Sequence, residues 1–304
     1  MTLPRKKLLS LVGSLLMLAS FWFLYRVYEH HAAALMSWKH AADLLPVLAL
    51  GAAFYMGIFL LVAECWHRML AIKAPGTVGR RTNYASMMKA QVAKYLPGNV
   101  GHFVSRHLYL APHGVSHSNL LKAMGLETSV CLGSGLLFTT LTALPGLDTL
   151  AEAFDPAMAP YVNLLAGAVI LTAAALGYWI ALPLARRLFG PFTLRDILIP
   201  IGLWFAFFGF LSAAFAACFT LVNGQPAPQL LPALFIASWT LGFVVPGAPG
   251  GLGVREAALV ILFAPFAPTG DIMIAAILLR LMALAGEILS FFAGLILGRN
   301  KGQQ

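Results

Sequence analysis

Eight ionisable side chains sit in stretches that are otherwise apolar: Lys89, Lys94, Arg106, Glu127, Arg255, Glu256, Arg280 and Glu287. Charge in apolar surroundings is costly, so such groups face a cavity or one another and are the first candidates for chemistry. Arginine reads phosphate better than lysine does, because its planar fork bonds bidentately. Arg106 and Arg255 are therefore predicted to bracket a phosphate. Glu127, Glu256, Arg280 and Lys94 complete the expected substrate-binding set. On a helix, Arg280 and Glu287 share a face about 10 Å apart, too far to pair. Each needs a partner on another helix, and Glu127 or Glu256 is expected for Arg280. Blander roles stand beside these. Lys89, Lys94 and Arg106 can snorkel to a membrane surface, and Arg280 can form a static pair that fixes helix register.

Other chemistries find little footing. The histidines His30, His31, His40, His113 and His117 fall in predicted loops or at interfaces, without metal-ligand spacing. There is no Walker sequence and no dinucleotide glycine fingerprint. No Ser/His/Asp arrangement offers a nucleophile. Neither a metal nor another cofactor is expected. Cys65, Cys131 and Cys218 lie in apolar stretches and read as packing residues. Glu64, His67 and Arg68 read as interface residues at the end of a span.

The elements that must position these groups are membrane helices. Of 304 residues, 60% are hydrophobic and 10% charged. Soluble domains are nearer a quarter charged, and a globule of this size cannot hide so much apolar surface from water. The expected class is an all-α integral membrane protein, a single membrane domain over 1–304. The formal charge of +9 is read as topology and anionic lipid, with no nucleic-acid partner. Six stretches are long enough for full crossings: 8–28, 44–66, 118–144, 160–182, 194–223 and 271–297. The first is read as an uncleaved anchor, being longer than a signal-peptide core and followed by Tyr25 and Tyr28.

Two further apolar stretches are broken. Residues 80–110 are interrupted at Pro97, Gly98 and Gly101; residues 229–266 are interrupted at Pro246, Gly247 and Gly250. Proline removes a donor and glycine does not favour helix, so each stretch reads as a re-entrant hairpin of two half-helices around an unwound elbow. With hairpins, Arg68, Lys73, Arg80, Arg81, Arg186, Arg187 and Arg195 join the cationic termini on one side; only Arg26 and Lys39 fall on the other, with Asp148, Glu152 and Asp155. The positive-inside rule then places both termini in the cytoplasm of the cell inner membrane. Reading each broken stretch as one crossing instead gives eight spans.

The hairpin reading implies symmetry. Residues 1–145 run span, span, hairpin, span, and residues 158–304 repeat that order starting from the opposite face. Pro97, Gly98, Gly101 and Arg106 occupy the same relative positions as Pro246, Gly247, Gly250 and Arg255. Inverted repeats place a site at the midplane, where discontinuous helices meet. Ala85, Ala90 and Ala93 allow close packing of the first hairpin. Gly294 and Gly298 serve packing within the protomer or, as the alternative, a homodimer face.

The segments KYLPGNVGHFVSRH (94–107) and PGAPGGLGVREAAL (246–259) resemble the lysylphosphatidylglycerol synthase transmembrane-region family, also described as flippase-like. Glu127 and Arg280 match as well; Thr128 departs from the arginine that often follows the acid. The resemblance implies the membrane module without an aminoacyltransferase domain. It implies movement of a lipid, a phospholipid or lipid-linked headgroup, between leaflets. Two alternatives are an intramembrane glycosyl or aminoacyl transferase using Glu256 as base, and a non-catalytic partner that presents lipid.

Overall fold

The computed structural model describes residues 44–95, 100–149, 182–245, 249–251 and 253–298. Among them the chain is all helix, without a strand. The helices are α1 (Leu44–Lys73), α2 (Arg80–Ala90), α3 (Gly101–Leu110), α4 (His117–Ala143), α5 (Leu182–Phe189), α6 (Leu194–Asn223), α7 (Leu231–Val244), α8 (Val254–Phe263) and α9 (Thr269–Leu297).

Among the described residues, four stretches are long and apolar enough to cross a membrane: Leu45–Lys73, His117–Thr149, Leu194–Asn223 and Thr269–Leu297. At 1.5 Å per residue each is roughly 40–50 Å long, enough for the hydrocarbon core and both headgroup layers. They correspond to four of the six expected spans. The span at 8–28 lies outside the described residues, and so does 160–182 apart from Leu182. Helices of this length and composition mark an integral membrane protein.

The first of them outruns its expected end at residue 66. Glu64 accepts hydrogen bonds from Arg68 (2.8 Å), Arg80 (3.3 Å) and Tyr84 (2.6 Å). These partners satisfy the carboxylate, so the polar turns beyond it stay helical. Glu64 is thus the hub of a small network, more than an isolated interface residue.

Both broken stretches form pairs of short helices. Gln91–Tyr95 extends α2 as a 3-10 segment. By rise per residue α3 and α8 are about 15 Å long and α7 about 21 Å, each short of the roughly 30 Å hydrocarbon core. α2 packs on α3, and α7 on α8.

Contacts define the two ends of the bundle. Lys73 Nζ donates to the carbonyls of Gly190 and Pro191, and Arg81 Nε to that of Leu297. Arg68, Lys73, Arg80, Arg81, Arg186 and Arg195 therefore gather near one end. The start of α4 is there too, with Gly125 under the Phe189 ring and Gly114 beside Thr77. At the other end Asn223 Nδ2 donates to Asp271 (2.5 Å) and Gly146 packs on Leu230. The connections there, 144–149, 224–230 and 264–268, carry no Lys or Arg. Hence the outer ends of α2 and α3 both lie at the basic end, and those of α7 and α8 at the acidic end.

α9 is the central post, packed on α1, α2 and α6. A Cβ at Gly286 would stand 2.7 Å from the Ala52 carbonyl oxygen, so only glycine lets α1 and α9 approach this closely. Gly294 does the same against α2, where a Cβ would stand 2.9 Å from Met88 Cβ. Gly294 and, just past the end of α9, Gly298 both face residues of the same protomer, Met88 and Lys89 among them. Ala85 and Ala90 are fully buried on the facing helix, and Ala93 is half-buried.

Candidate functional site

The second break folds as glycine dictates. Gly250, Gly251 and Gly253 have φ of 59°, 73° and 83°, a left-handed backbone that disfavours any side chain. A Cβ on Gly251 would also stand 2.9 Å from the Gly242 carbonyl oxygen of α7. This turn starts α8 and sets Arg255 and Glu256 in its first turn. Glu256 Oε2 accepts from the Gly253 N–H at 2.8 Å. Its Oε1 pairs with Arg280 Nη1, whose Nη2 donates to the Gly250 carbonyl at 3.0 Å. Arg280 therefore ties α9 to the turn through the acid expected for it.

On the other side, α3 carries Arg106, of which 1% is exposed. Nη1 donates to Glu127 Oε2 of α4 at 2.6 Å and contacts Met87 Sδ of α2 at 3.4 Å. The guanidinium lies over the Trp66 ring at 4.2 Å and the Phe103 ring at 5.3 Å. Snorkelling is thus overturned for Arg106, because a carboxylate and two aromatic faces hold it inside. The acid of the third span does form an ion pair, with an arginine from another helix where the resemblance places the arginine next door. Arg255 is held in a similar way, over the Trp239 ring at 5.3 Å.

Lys94 comes from the 3-10 segment and pairs with Glu287 Oε1 of α9. Tyr55 of α1 donates to the same oxygen at 3.1 Å. Lys94 is thus turned inward, not out to a surface. Lys89 reaches Tyr109, with its Nζ 4.5 Å from the ring centroid, near the basic end.

These groups converge. A cavity of about 110 Å³ is lined by Lys94, Arg106, Glu127, Arg255 and the aromatic faces of Tyr55, Phe59, Trp204 and Trp239, among others. A neighbouring cavity of about 50 Å³ is lined by Lys94, Arg255, Glu256, Arg280 and Glu287. Tyr55, Lys94, Trp239, Gly250 and Arg255 line both. The Gln91–Tyr95 segment also touches the Pro249–Gly251 turn, so the two breaks meet beside this space. All six expected substrate-binding residues border it. Of the expected elbow residues, Gly101 opens α3 and Gly250 lies in the glycine turn; Pro97, Gly98, Pro246 and Gly247 lie outside the described residues.

Among the described residues, the two neighbouring cavities together have four cations (Lys94, Arg106, Arg255, Arg280) against three carboxylates (Glu127, Glu256, Glu287). The formal balance is one positive charge in surroundings that screen it poorly. Arg106 Nε and Glu287 Oε2 are buried without a hydrogen-bond partner among the described residues. The space suits several waters or a phosphate-sized group, and it is too small for acyl chains. No His/Cys/Asp/Glu cluster that could hold a metal occurs among the described residues.

The aromatic platforms Trp66 and Trp239 and the hydroxyl of Tyr55 were not among the expected site residues. Their signal is position. Trp239 lies inside an apolar stretch, out of place for an interfacial belt, whereas Trp66 stands at the expected end of a span, where a tryptophan is ordinary. No protein-family model, curated protein or solved structure matches this chain. What the site does has to be read from its own chemistry.

Proposed function

We propose that this chain is a lipid translocator. It moves an anionic phospholipid or lipid-linked headgroup between the leaflets of the inner membrane, with the acyl chains left in the bilayer. The observation that carries the proposal is the convergence of Lys94, Arg106 and Arg255 on one aromatic-walled cavity of net positive charge. An anion entering it meets charge-assisted donors in a low dielectric. The broken helices bring their ends to the same place, as in transporters whose two halves rock about a central site.

The topology belongs to the same proposal. Residues 80–110 and 229–266 form re-entrant hairpins that open from opposite faces. Six full spans surround them, the halves 1–145 and 158–304 are inverted repeats, and both termini face the cytoplasm. Support comes from the helix pairs whose outer ends share one end of the bundle, and from the gathering of cations at a single end. A transferase using Glu256 as base is less well supported, because both carboxylate oxygens of Glu256 are taken by Arg280 and Gly253.

The test is leaflet exchange. Purified chain is placed in liposomes with a headgroup-accessible fluorescent phosphatidylglycerol or phosphatidylcholine, and a membrane-impermeant quencher is added. The expected result is exchange above that of empty liposomes, faster for the anionic lipid. Exchange no faster than in empty liposomes, for either lipid and with or without a pH gradient, overturns the proposal.

A further inference from the structure

We propose that Glu287 is a proton-binding site that loads together with the anionic headgroup, so that each headgroup crosses with one proton. The inference rests on the translocator reading of the cavity.

The three buried carboxylates are held differently. Glu127 faces the Arg106 guanidinium, which aromatic faces fix in place. Glu256 has a partner on each oxygen. Glu287 is 1% exposed, and its Oε1 receives both Lys94 and Tyr55. Its Oε2 is buried with no hydrogen-bond partner among the described residues. It borders the smaller cavity, of which Lys94 and Arg255 also line the larger one. Among the described residues, the other charged or titratable groups facing it are Tyr55 from α1, Lys94 from the 3-10 segment, Arg255 and Glu256 from α8, and Arg280 on its own helix. Lys89 of α2 lies near Gly294 and Gly298 at the far end of α9.

Lys94 is the partner a headgroup can draw away. Its ammonium is a point charge on a flexible stem, and it borders both cavities. A phosphodiester entering the larger cavity competes for it. Glu287 is then left as a buried carboxylate without its cation, a state costlier than neutralisation. It takes one proton from cavity water at Oε2. On release of the headgroup, the proton returns to water and the Lys94–Glu287 pair re-forms. Headgroup and proton together are neutral, which lowers the cost of crossing a low-dielectric region.

The experiment is titration calorimetry on the full detergent-solubilised chain, with dihexanoylphosphatidylglycerol as the probe. Two buffers of different ionisation enthalpy are used at each of several pH values between 6 and 8. The lipid keeps its single negative charge throughout. Wild type is expected to show heats that differ between buffers, reporting proton uptake of up to one per lipid. Its affinity rises as pH falls, by up to tenfold per pH unit. In Glu287→Gln the buffer difference disappears and the affinity, whatever its value, no longer varies with pH. Lys94→Met has the same effect from the other partner. Wild-type binding with equal heats in both buffers overturns the proton site and leaves the translocator standing. So does buffer dependence that persists in both variants. No binding by wild type overturns both.

Discussion

At the scale of single residues, the site is three ion pairs inside a membrane protein, and their energetics are asymmetric. A buried pair adds little net stability, because desolvation offsets the Coulomb attraction. Losing one partner is different, since it strands a charge. Arg106→Met is therefore expected to destabilise the detergent-solubilised fold by about 3–5 kcal/mol, through uncompensated Glu127. Adding Glu127→Leu should recover a large part of that loss. Thermal melting of the two single variants and the double variant checks this, and additive losses would show that the pair is not coupled. Much of the site's membership was legible at this scale. A charge in an apolar run is a strong signal, and the six expected residues border two neighbouring cavities. Their pairing was legible only in part. Lys94 and Glu287 lie far apart along the chain, and no local periodicity links them. Arg106 meets Glu127 only because α3 folds back on α4.

Among the elements, the broken helices are the informative ones. Proline and glycine announce breaks, so both were legible in the sequence as interruptions. What they could not announce is the 3-10 continuation through Tyr95, which turns Lys94 inward. Nor could they announce that the second break is a glycine turn seated against Gly242. That turn makes a prediction. Gly251→Ala adds a side chain at φ 73° and within 2.9 Å of a carbonyl oxygen. A loss of about 1–3 kcal/mol in fold stability is expected, with α8 and its Arg255 displaced. Gly202→Ala in α6 meets nothing within 4 Å and serves as the control. It should be neutral or stabilise by up to about 1 kcal/mol. Equal melting behaviour of the two variants would show that the turn does not need its glycine.

For the whole molecule, the proposed topology is the claim that cysteine labelling tests. The three native cysteines are buried and give little background. Thr77 and Ser118 are exposed and flank the α2–α3 pair. If that pair is a re-entrant hairpin, Thr77→Cys and Ser118→Cys react with an impermeant thiol reagent from the same side. If residues 80–110 cross once, they react from opposite sides. Four of the six expected spans are visible because length and hydropathy are properties of a single helix. The inverted relation of the halves is a property of the assembly, and four of the six elbow residues that motivated it lie outside the described residues.

The central claim is that the arginine-lined cavity carries the headgroup. Leaflet exchange of fluorescent phosphatidylglycerol, compared among wild type, Arg255→Gln and Arg195→Gln, tests it most directly. Arg255 borders both cavities, whereas Arg195 is exposed at the basic end. The account predicts that Arg255→Gln lowers exchange at least tenfold while Arg195→Gln stays near wild type, with both variants folded by size exclusion. Exchange at the wild-type rate in folded Arg255→Gln would contradict it.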